Sequence, residues 1–451
     1  MNMAAGDLIA QAVLKEFDSL PANRKPVVRG NGLREWVPLS GIVAEFEGGE
    51  YVCVALATGM KCLPTSKLAL SKGVGIHDWH AEVLALRAFN RFVLQECRDV
   101  LLRGDASSYL QHRQKREALA QSRKADGLEP RDVEETQHIW HKQPFEWRPD
   151  VALHMYCSEA PCGDASMELT MAAQDDASPW TAPTATEAAA TAAGSEDVPT
   201  SEPLLSGRGY FSRLGTVRRK PGRGDAPPTL SKSCSDKMAL RQCTSILGGL
   251  ATPFVSPDSC YLKSVVLPAT QYSETGCRRC FSADVDADIG SDLGRMAPVA
   301  GRKWPGGYAY MPLNVQTTDL EFSFSKRSVR SAGASSASSN LSVAWTQNGI
   351  NECLVNGVMR GRKAFDPAGA SMVSRRQMWR LARQVASEVE VEGDEELKKV
   401  FNSETYARLK RSSLFAARER VKEDVKMLAL RGWLANEGDE DWGLDTLCVS
   451  L

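Results

Sequence analysis

The stretch Asp78-Trp79-His80-Ala81-Glu82 stands at the start of a long run of helical periodicity that extends over about 80–102. A His-x-Glu pair in this place offers one imidazole metal ligand. Two residues later it offers a carboxylate that lies beside the metal without binding it. Most chance occurrences of His-x-Glu have no chemical role, so the triplet needs a second ligand-bearing segment before it indicates a metal site.

The second segment is Pro161-Cys162-Gly163-Asp164, where a predicted strand over 151–157 leads into a helix. The N–H groups and positive potential of a helix N-terminus favour a cysteine thiolate. A hydrolytic zinc site uses three protein ligands and keeps one position open for water. Position 165 is alanine, so the usual Pro-Cys-x-x-Cys pattern is incomplete. The best candidate for the third ligand is Cys234, which precedes another predicted helix over 238–247.

Other cysteines leave alternatives open. A structural zinc site would use the same three residues and a fourth cysteine, for which Cys157 is the nearest spare thiol. Cys277 and Cys280 have metal-like spacing but no partner pair, and His77 is more typical of a loop residue than of a second ligand. The remaining cysteines are interpreted as small core residues, namely Cys53, Cys62, Cys97, Cys243, Cys260, Cys353 and Cys448.

Three segments in series carry a resemblance to a known family. These segments are His80-Ala81-Glu82, Pro161-Cys162-Gly163-Asp164 and Ser233-Cys234-Ser235-Asp236-Lys237. In that order they resemble the editase-type adenosine deaminases, which include the adenosine deaminases acting on RNA and a tRNA-specific branch. Thr58-Gly59-Met60-Lys61-Cys62 resembles the Thr-Gly-x-Lys-Cys segment of the family, and the likeness extends over about 41–433.

Two features favour the tRNA branch of the family. Lys220-Pro221-Gly222-Arg223-Gly224-Asp225 is similar to a stretch found in the tRNA enzymes. About 40 residues precede the deaminase region, which is too few for the double-stranded-RNA-binding modules of messenger-RNA editors.

The resemblance implies zinc-dependent hydrolytic deamination of adenosine to inosine in tRNA, with A37 next to the anticodon of alanine tRNA as the expected target. The zinc ligands that it implies are His80, Cys162 and Cys234, and Glu82 is expected to transfer protons. The substrate contacts that it implies are Lys61, Lys220 and Arg223. Two alternatives remain, namely editing of another structured RNA and a non-catalytic RNA-binding partner built on a deaminase fold.

The resemblance further implies an inositol hexakisphosphate buried beneath the active site. A buried polyanion would explain why cationic side chains occur among core-spaced apolar residues in 360–431. The implied contacts are Lys237, Arg87, Lys363, Tyr406, Lys410 and Arg418. The family has Arg-Trp shortly after the equivalent of Lys237, whereas this chain has Leu240-Arg241. From the residue pattern alone, the same region is typical of charged helix faces.

The segment 208–241 contains nine lysines and arginines against two aspartates. Local positive charge of this kind neutralises nucleic-acid phosphates, so the segment predicts RNA contact. A solvated basic loop is the alternative.

The composition of the whole chain sets the class of protein. It has 451 residues, 43% of them hydrophobic, and a net charge of −1, as in an ordinary globular protein. No run of about 18 apolar residues predicts a membrane span, and the N-terminus lacks the pattern of a secretory signal. Twelve cysteines without such a signal predict a reducing compartment, cytoplasmic and/or nuclear. No obligate protein partner is expected.

The expected fold class is α/β, with a three-layer, cytidine-deaminase-like core, a mixed sheet and a C-terminal helical extension. The sequence predicts a first helix over 7–20 and a hairpin of strands over 41–47 and 51–57. The C-terminal helices are predicted over 370–391, 395–410 and 414–431.

Residues 1–451 are expected to form one deaminase domain with enlarged loops. The segment 174–207 is rich in alanine and lacks lysine and arginine, which predicts a disordered insertion. Flexible loops are predicted over 276–298 and 328–340, and the acidic tail 437–445 is expected outside the core.

Overall fold

The computed structural model describes residues 3–104, 107–113, 142–173, 213–220, 226–284, 294–333, 335–390 and 394–444. The helices of these ranges are α1 (Ala5–Ser19), α2 (Leu68–Ser71), α3 (Ala81–Arg103), α4 (Met167–Ala172), α5 (Cys234–Thr244), α6 (Glu274–Phe281), α7 (Lys326–Ser331), α8 (Arg375–Glu388), α9 (Asp394–Phe401), α10 (Tyr406–Lys410) and α11 (Ala416–Leu428). The strands are β1 (Arg34–Trp36), β2 (Leu39–Glu45), β3 (Tyr51–Thr58), β4 (Leu110–His112), β5 (Phe145–Trp147), β6 (Ala152–Cys157), β7 (Val255–Ser256), β8 (Leu262–Pro268), β9 (Lys303–Trp304), β10 (Tyr308–Ala309), β11 (Asn314–Thr318), β12 (Ser336–Ser338), β13 (Leu341–Thr346), β14 (Asn351–Val355) and β15 (Val358–Met359).

An eight-stranded mixed sheet forms the centre of the molecule, in the order β11-β8-β6-β2-β3-β13-β14-β15. The β2–β3 hairpin pairs antiparallel, whereas β6, β8 and β11 run parallel to one another. Parallel neighbours need crossover connections, and the chain between β6 and β8 contains the helix that begins at Cys234. The predicted mixed sheet and hairpin are confirmed.

Helices cover both faces of the sheet. On one face, α1 places Ile9, Val13 and Phe17 against the strands, because these apolar residues recur every four positions. A Cβ atom at Gly41 of β2 would lie 2.7 Å from the side chain of Val13, so glycine permits the close approach of α1. On the other face, α3 packs on β2, β3 and β13. The start of α3 therefore lies on the sheet face opposite to α1.

The C-terminal helices extend the core on the α3 side. The predicted helical extension is present as α8, α9, α10 and α11. Helix α8 packs on α3 and α9, and α11 packs on α5. No helix within the described ranges has the length and apolar character that a membrane span requires.

The prediction of a flexible loop over 276–298 is wrong for 276–281, which belong to α6. The Ser273 side chain caps this helix by accepting a hydrogen bond from the Gly276 N–H, and Cys277, Cys280 and Phe281 are buried. The i, i+3, i+4 spacing of these three residues is the helical signal that metal-like cysteine spacing obscured. Residues 285–293 lie outside the described ranges.

The predicted loop over 328–340 also contains regular structure. Residues 328–331 complete α7, and Ser336–Ser338 form β12, which pairs in parallel with β1. A run of serines has no strand preference of its own, so the strand depends on hydrogen bonds from a segment about 300 residues away. Local composition could not predict that partner.

The acidic tail is docked and does not lie outside the core. Trp442 stacks on Tyr406 with ring centroids 4.9 Å apart, and Asp439 is buried. The Asp439 carboxylate accepts a hydrogen bond from the Gly73 N–H at 3.0 Å and lies 2.7 Å from His77 Nε2. The tail therefore supports the loop that precedes His80. The predicted insertion 174–207 falls outside the described residues.

Candidate metal centre and active site

His80 is the N-cap residue of α3 and lies directly before the first helical turn. Its backbone N–H donates to Asp78 Oδ1 at 3.0 Å, and the Ala81 N–H donates to the Gly59 carbonyl at 2.9 Å. These bonds fix the end of the loop, so His80 is held at the N-terminus of α3. Glu82, in the first turn of α3, is buried with only 6% of its surface exposed.

Cys162 lies in the turn after β6, and Cys234 is the first residue of α5. The two turns touch, because the Cys234 N–H donates to Cys162 Sγ at 3.4 Å. Gly163, which follows Cys162, has φ of +109°, and a Cβ atom at this position would lie 2.4 Å from the Ser233 Cβ. Glycine is therefore required both by the backbone conformation and by the close contact of the turns.

His80, Cys162 and Cys234 meet with their ligand atoms within 4.8 Å of one another. The distance from His80 Nδ1 to Cys162 Sγ is 3.8 Å. Tetrahedral zinc with Zn–S of about 2.3 Å and Zn–N of about 2.0 Å separates sulfur from nitrogen by about 3.5 Å. The donor set and its spacing therefore fit Zn²⁺. The structure thus brings together the three residues that the sequence assigned to the metal.

The electrostatics of the cluster favour a cysteine thiolate, which is the form that binds a metal. A hydrogen bond from the Cys234 thiol, with the charges of Lys220 and His80, lowers the pKa of Cys162 well below its usual value. Burial raises the pKa of Glu82, and the negative charge of Cys162 raises it further. The site thus holds a thiolate ready for a metal beside a carboxyl group that retains a proton more readily than in water.

A second group, formed by Cys62, Asp78 and His80, also places its ligand atoms within 4.8 Å of one another. The Asp78 carboxylate is already engaged, since Oδ2 accepts from Lys220 Nζ at 2.8 Å and from Ser231 Oγ at 2.6 Å. Lys237 also pairs with Asp78. Because these donors hold Asp78, the His80–Cys162–Cys234 group is the better metal site.

Within the described ranges, most of the other cysteines lie away from the two ligand groups. Cys157 is buried and belongs to neither ligand group found among the described residues, and the same holds for Cys277 and Cys280. Cys62 is half-buried beside His80, so its interpretation as a core residue is wrong. Sequence reasoning missed both Cys62 and Asp78, although both lie in segments that it had quoted.

His77 is a buried connection between loops and not a ligand. Its Nδ1 atom accepts from Arg375 Nη2 at 3.0 Å, and Nε2 lies 2.7 Å from Asp439. Burial and the charge of Arg375 lower its pKa to about 4. A neutral His77 therefore links the docked tail to the loop that carries His80.

The three implied substrate contacts differ in burial and in the contacts that they make. Lys220 is buried, and its Nζ lies 2.8 Å from Asp78 Oδ2 and 3.2 Å from Cys234 Sγ, so its ammonium supports the metal site and cannot reach tRNA phosphates. Lys61 is half-buried and hydrogen-bonded to the Asn340 side chain. Arg223 lies outside the described residues. Burial of Arg218 and Lys232 likewise removes them from the RNA contact predicted for 208–241.

Two of the cations assigned to inositol hexakisphosphate, Arg87 and Arg418, lie near Arg241, which was not among the implied contacts. Arg241 and Arg418 both donate to the Leu247 carbonyl, at 2.7 Å and 3.4 Å. Burial and the Arg418 charge lower the pKa of Arg241 to about 9, and burial and Arg375 lower that of Arg87 to about 10. Lys237 points instead to Asp78, and Lys363 is exposed.

Lys410 and Tyr406 continue this cationic region. Lys410 Nζ lies 3.5 Å from Glu419 and 4.6 Å from the centre of the Phe415 ring. Tyr406 lies under the Arg375 guanidinium, 5.9 Å from ring centre to Cζ. The region thus concentrates positive charge in a buried place, where mutual repulsion favours an anionic ligand.

The chain is similar to known adenosine deaminases over most of its length. The sequence profile of the adenosine-deaminase (editase) domain matches residues 55–437. The tRNA-specific adenosine deaminase 1 of Schizosaccharomyces pombe is 31% identical over 446 residues, which cover 97% of each chain. The Saccharomyces cerevisiae protein of the same name is 32% identical over 58% of each chain. The double-stranded RNA-specific adenosine deaminase of Rattus norvegicus is 26% identical over 58% of this chain and 19% of its own.

Proposed function

The chain belongs to the adenosine-deaminase (editase) family, and on that premise we propose that it converts adenosine to inosine in tRNA by hydrolysis. The observation that carries this proposal is the meeting of His80, Cys162 and Cys234 beside the buried carboxyl of Glu82. A non-catalytic partner would need neither the ligand set nor the carboxyl group. The geometry therefore favours an enzyme over a scaffold.

The three ligands would hold Zn²⁺, which supplies a Lewis acid that acidifies water near neutral pH. The chain's own residues do the rest of the chemistry. His80 is fixed by the bonds at the start of α3, and the two cysteine turns are held in contact. Lys220 donates to Cys234 Sγ and pairs with Asp78, which keeps the ligand cluster neutralised in a buried place.

Glu82 is the proton carrier of this proposal. It accepts a proton from the attacking water, passes it to the adenine ring nitrogen N1, and then assists protonation of the leaving amino group. The water oxygen forms the new bond to C6, the bond from C6 to the amino nitrogen breaks, and ammonia leaves. The raised pKa of the buried Glu82 suits a group that must both take and give a proton.

The proposed target within tRNA is A37 next to the anticodon of alanine tRNA. Support comes from the likeness of 220–225 to the tRNA branch and from relatives named as tRNA-specific deaminases. We propose that Lys61 contacts the RNA, because its backbone lies beside the His80 loop, where its carbonyl accepts from the Trp79 N–H at 3.0 Å. Arg223 remains a contact proposed from the sequence alone. Editing of another structured RNA is the competing function.

The purified protein alone should form inosine in total tRNA, with the new inosine at position 37 of alanine tRNA. Sequencing detects inosine because it is read as guanosine after reverse transcription. The control is the same reaction with the Glu82→Gln variant. Inosine only in other RNAs would favour the competing function. If none formed with metal-loaded protein, the proposal that this chain deaminates tRNA by itself would fail.

We further propose that the buried cations around Arg241 and Arg418 hold inositol hexakisphosphate. Burial, together with the charge of a neighbouring arginine, lowers the pKa of Arg241 and of Arg87, and a buried anion would offset both effects, which supports a bound polyanion. The Nε atom of Arg418 is buried without a hydrogen-bond partner among the described residues, which leaves a donor for such a ligand. Arg241 supplies a further cation where the family has tryptophan.

Protein denatured after purification should release an inositol phosphate that mass spectrometry identifies at about one molecule per chain. The variants Arg418→Gln and Arg241→Gln should carry less of it, because each removes a buried charge. The exposed Lys363→Gln variant is the matched comparison and should keep the full content. Release of no polyphosphate from active protein would refute this ligand.

The fold proposal is that the chain forms one deaminase domain with a cytidine-deaminase-like layering. Helices on both faces of a mixed sheet, with a metal ligand at the start of α3, support it. We also propose a reducing compartment, cytoplasmic and/or nuclear, because the cysteines of the described ranges are free thiols.

A further inference from the structure

Each of the two cysteine turns carries a buried carboxylate. Asp164 follows Cys162 by two residues, and Asp236 follows Cys234 by two residues. Both aspartates are completely buried. A buried carboxylate is costly unless it is paired and hydrogen-bonded, so each must have a strong partner.

Each aspartate is paired with a buried arginine. Arg279 Nε lies 3.1 Å from Asp164 Oδ2, and its Nη2 donates to the Asp164 carbonyl at 3.0 Å. Arg295 Nη1 donates to Asp236 Oδ1 at 2.6 Å. Only 6% of Arg279 and 8% of Arg295 is exposed. Charge-assisted hydrogen bonds of this kind are the stronger ones in proteins.

The two arginines are themselves connected. The Arg295 backbone N–H donates to the Arg279 carbonyl at 3.0 Å. The Arg279 side chain also donates to Glu168 Oε1 at 2.6 Å, and Arg295 Nε donates to the Cys280 carbonyl at 3.0 Å. Helix α6 and the turn at Arg295 are therefore linked, and together they contact both cysteine turns.

The turns are also bonded directly to each other through Ser235. Its N–H donates to the Cys162 carbonyl at 3.0 Å, and its Oγ donates to the Pro161 carbonyl at 2.9 Å. The second carboxylate oxygen of Asp236, Oδ2, accepts hydrogen bonds from Ser233 Oγ and from the Arg218 N–H. The position of one cysteine therefore depends on the position of the other through a continuous set of hydrogen bonds.

We propose that Arg279 and Arg295 are positioning residues that hold Cys162 and Cys234 at the separation one metal ion requires. The proposal rests on the metal site described under the proposed function. Neither arginine touches the ligand atoms, so they act through Asp164 and Asp236. Outer partners of metal ligands typically affect metal affinity by about 10- to 100-fold.

The test is Co²⁺ binding by the full chain, measured by competition with a chelator and by the visible thiolate-to-cobalt absorption. Arg279→Gln and Arg295→Gln should weaken binding by about 10- to 100-fold and change the absorption band. Arg295→Lys keeps the charge but loses the fixed guanidinium geometry, so an intermediate loss is expected. Arg98→Gln, which removes an arginine 3.7 Å from Glu388 on α8, is the control and should bind as wild type does.

The outcomes separate the two proposals. If wild-type protein shows no thiolate–cobalt band at one ion per chain, the metal site itself is refuted and this inference with it. If the wild type binds and the folded arginine variants bind with the same affinity and spectrum, the positioning role alone is refuted. Circular dichroism establishes whether each variant is folded. If Arg295→Gln does not fold, the cobalt affinity of Arg295→Lys tests the positioning role of Arg295.

Discussion

Replacement of Glu82 by glutamine is expected to reduce inosine formation by about 10²- to 10⁴-fold while the metal stays bound. Glutamine has nearly the same shape as glutamate, but its amide cannot accept the proton of an attacking water and release it again. The ligands His80, Cys162 and Cys234 are untouched by the change. The loss should therefore appear in the chemical step and not in metal content.

The measurement is single-turnover inosine formation on tRNA, together with metal content by atomic emission. The matched control is Glu96→Gln on the same helix, where the carboxylate accepts from Ser107 Oγ at 2.8 Å and has no role at the site. Near-normal inosine formation by the Glu82 variant would show that another group moves the proton. Loss of metal from that variant would show that Glu82 is a ligand.

The local sequence pattern was sufficient to predict the helices and strands that bury a periodic apolar face. The predicted helix over 80–102 is found as Ala81–Arg103, and the predicted hairpin as β2 and β3. In both, the spacing of apolar residues matches the period of the element, and burial follows from that match. His80, Cys162 and Cys234 were found because each begins or precedes a helix at a recognisable segment.

Elements that depend on distant partners could not be predicted in this way. Serine-rich β12 is a strand because β1 supplies its hydrogen bonds. The acidic tail docks because Asp439 meets Gly73 and His77, far away in sequence. Lys220 looked like an RNA contact because a lysine in a basic segment usually faces water, whereas burial beside Asp78 is visible only in three dimensions.

Sequence reasoning also treated the positive charge of the C-terminal third as one property, and the structure separates it. Arg418 is buried among other cations, whereas Lys363 is exposed. Charge alone does not distinguish these positions, because both lie in polar, basic stretches of sequence. Arg418 lies on α11, which packs on α5, whereas Lys363 lies in the loop that precedes α8, and this difference is a tertiary property.

Replacement of Cys234 by alanine is expected to remove the metal and reduce inosine formation to background. Only His80 and Cys162 would remain as ligands, and a hydrolytic zinc site needs three. Atomic emission after dialysis against a chelator should give about one zinc per chain for wild type and almost none for the variant. Addition of zinc should raise the melting temperature of wild type more than that of the variant, because a ligand stabilises only the state that binds it.

Cys243→Ala is the matched control for this change. Cys243 lies on the same helix as Cys234 and is equally buried, but it belongs to neither ligand group among the described residues. Each variant removes one buried sulfur atom, so the loss of packing should destabilise both to a similar degree. Only Cys234→Ala should lose metal. If Cys234→Ala kept its zinc and activity, the third ligand would be another thiol, and Cys62 beside His80 would be the first to replace.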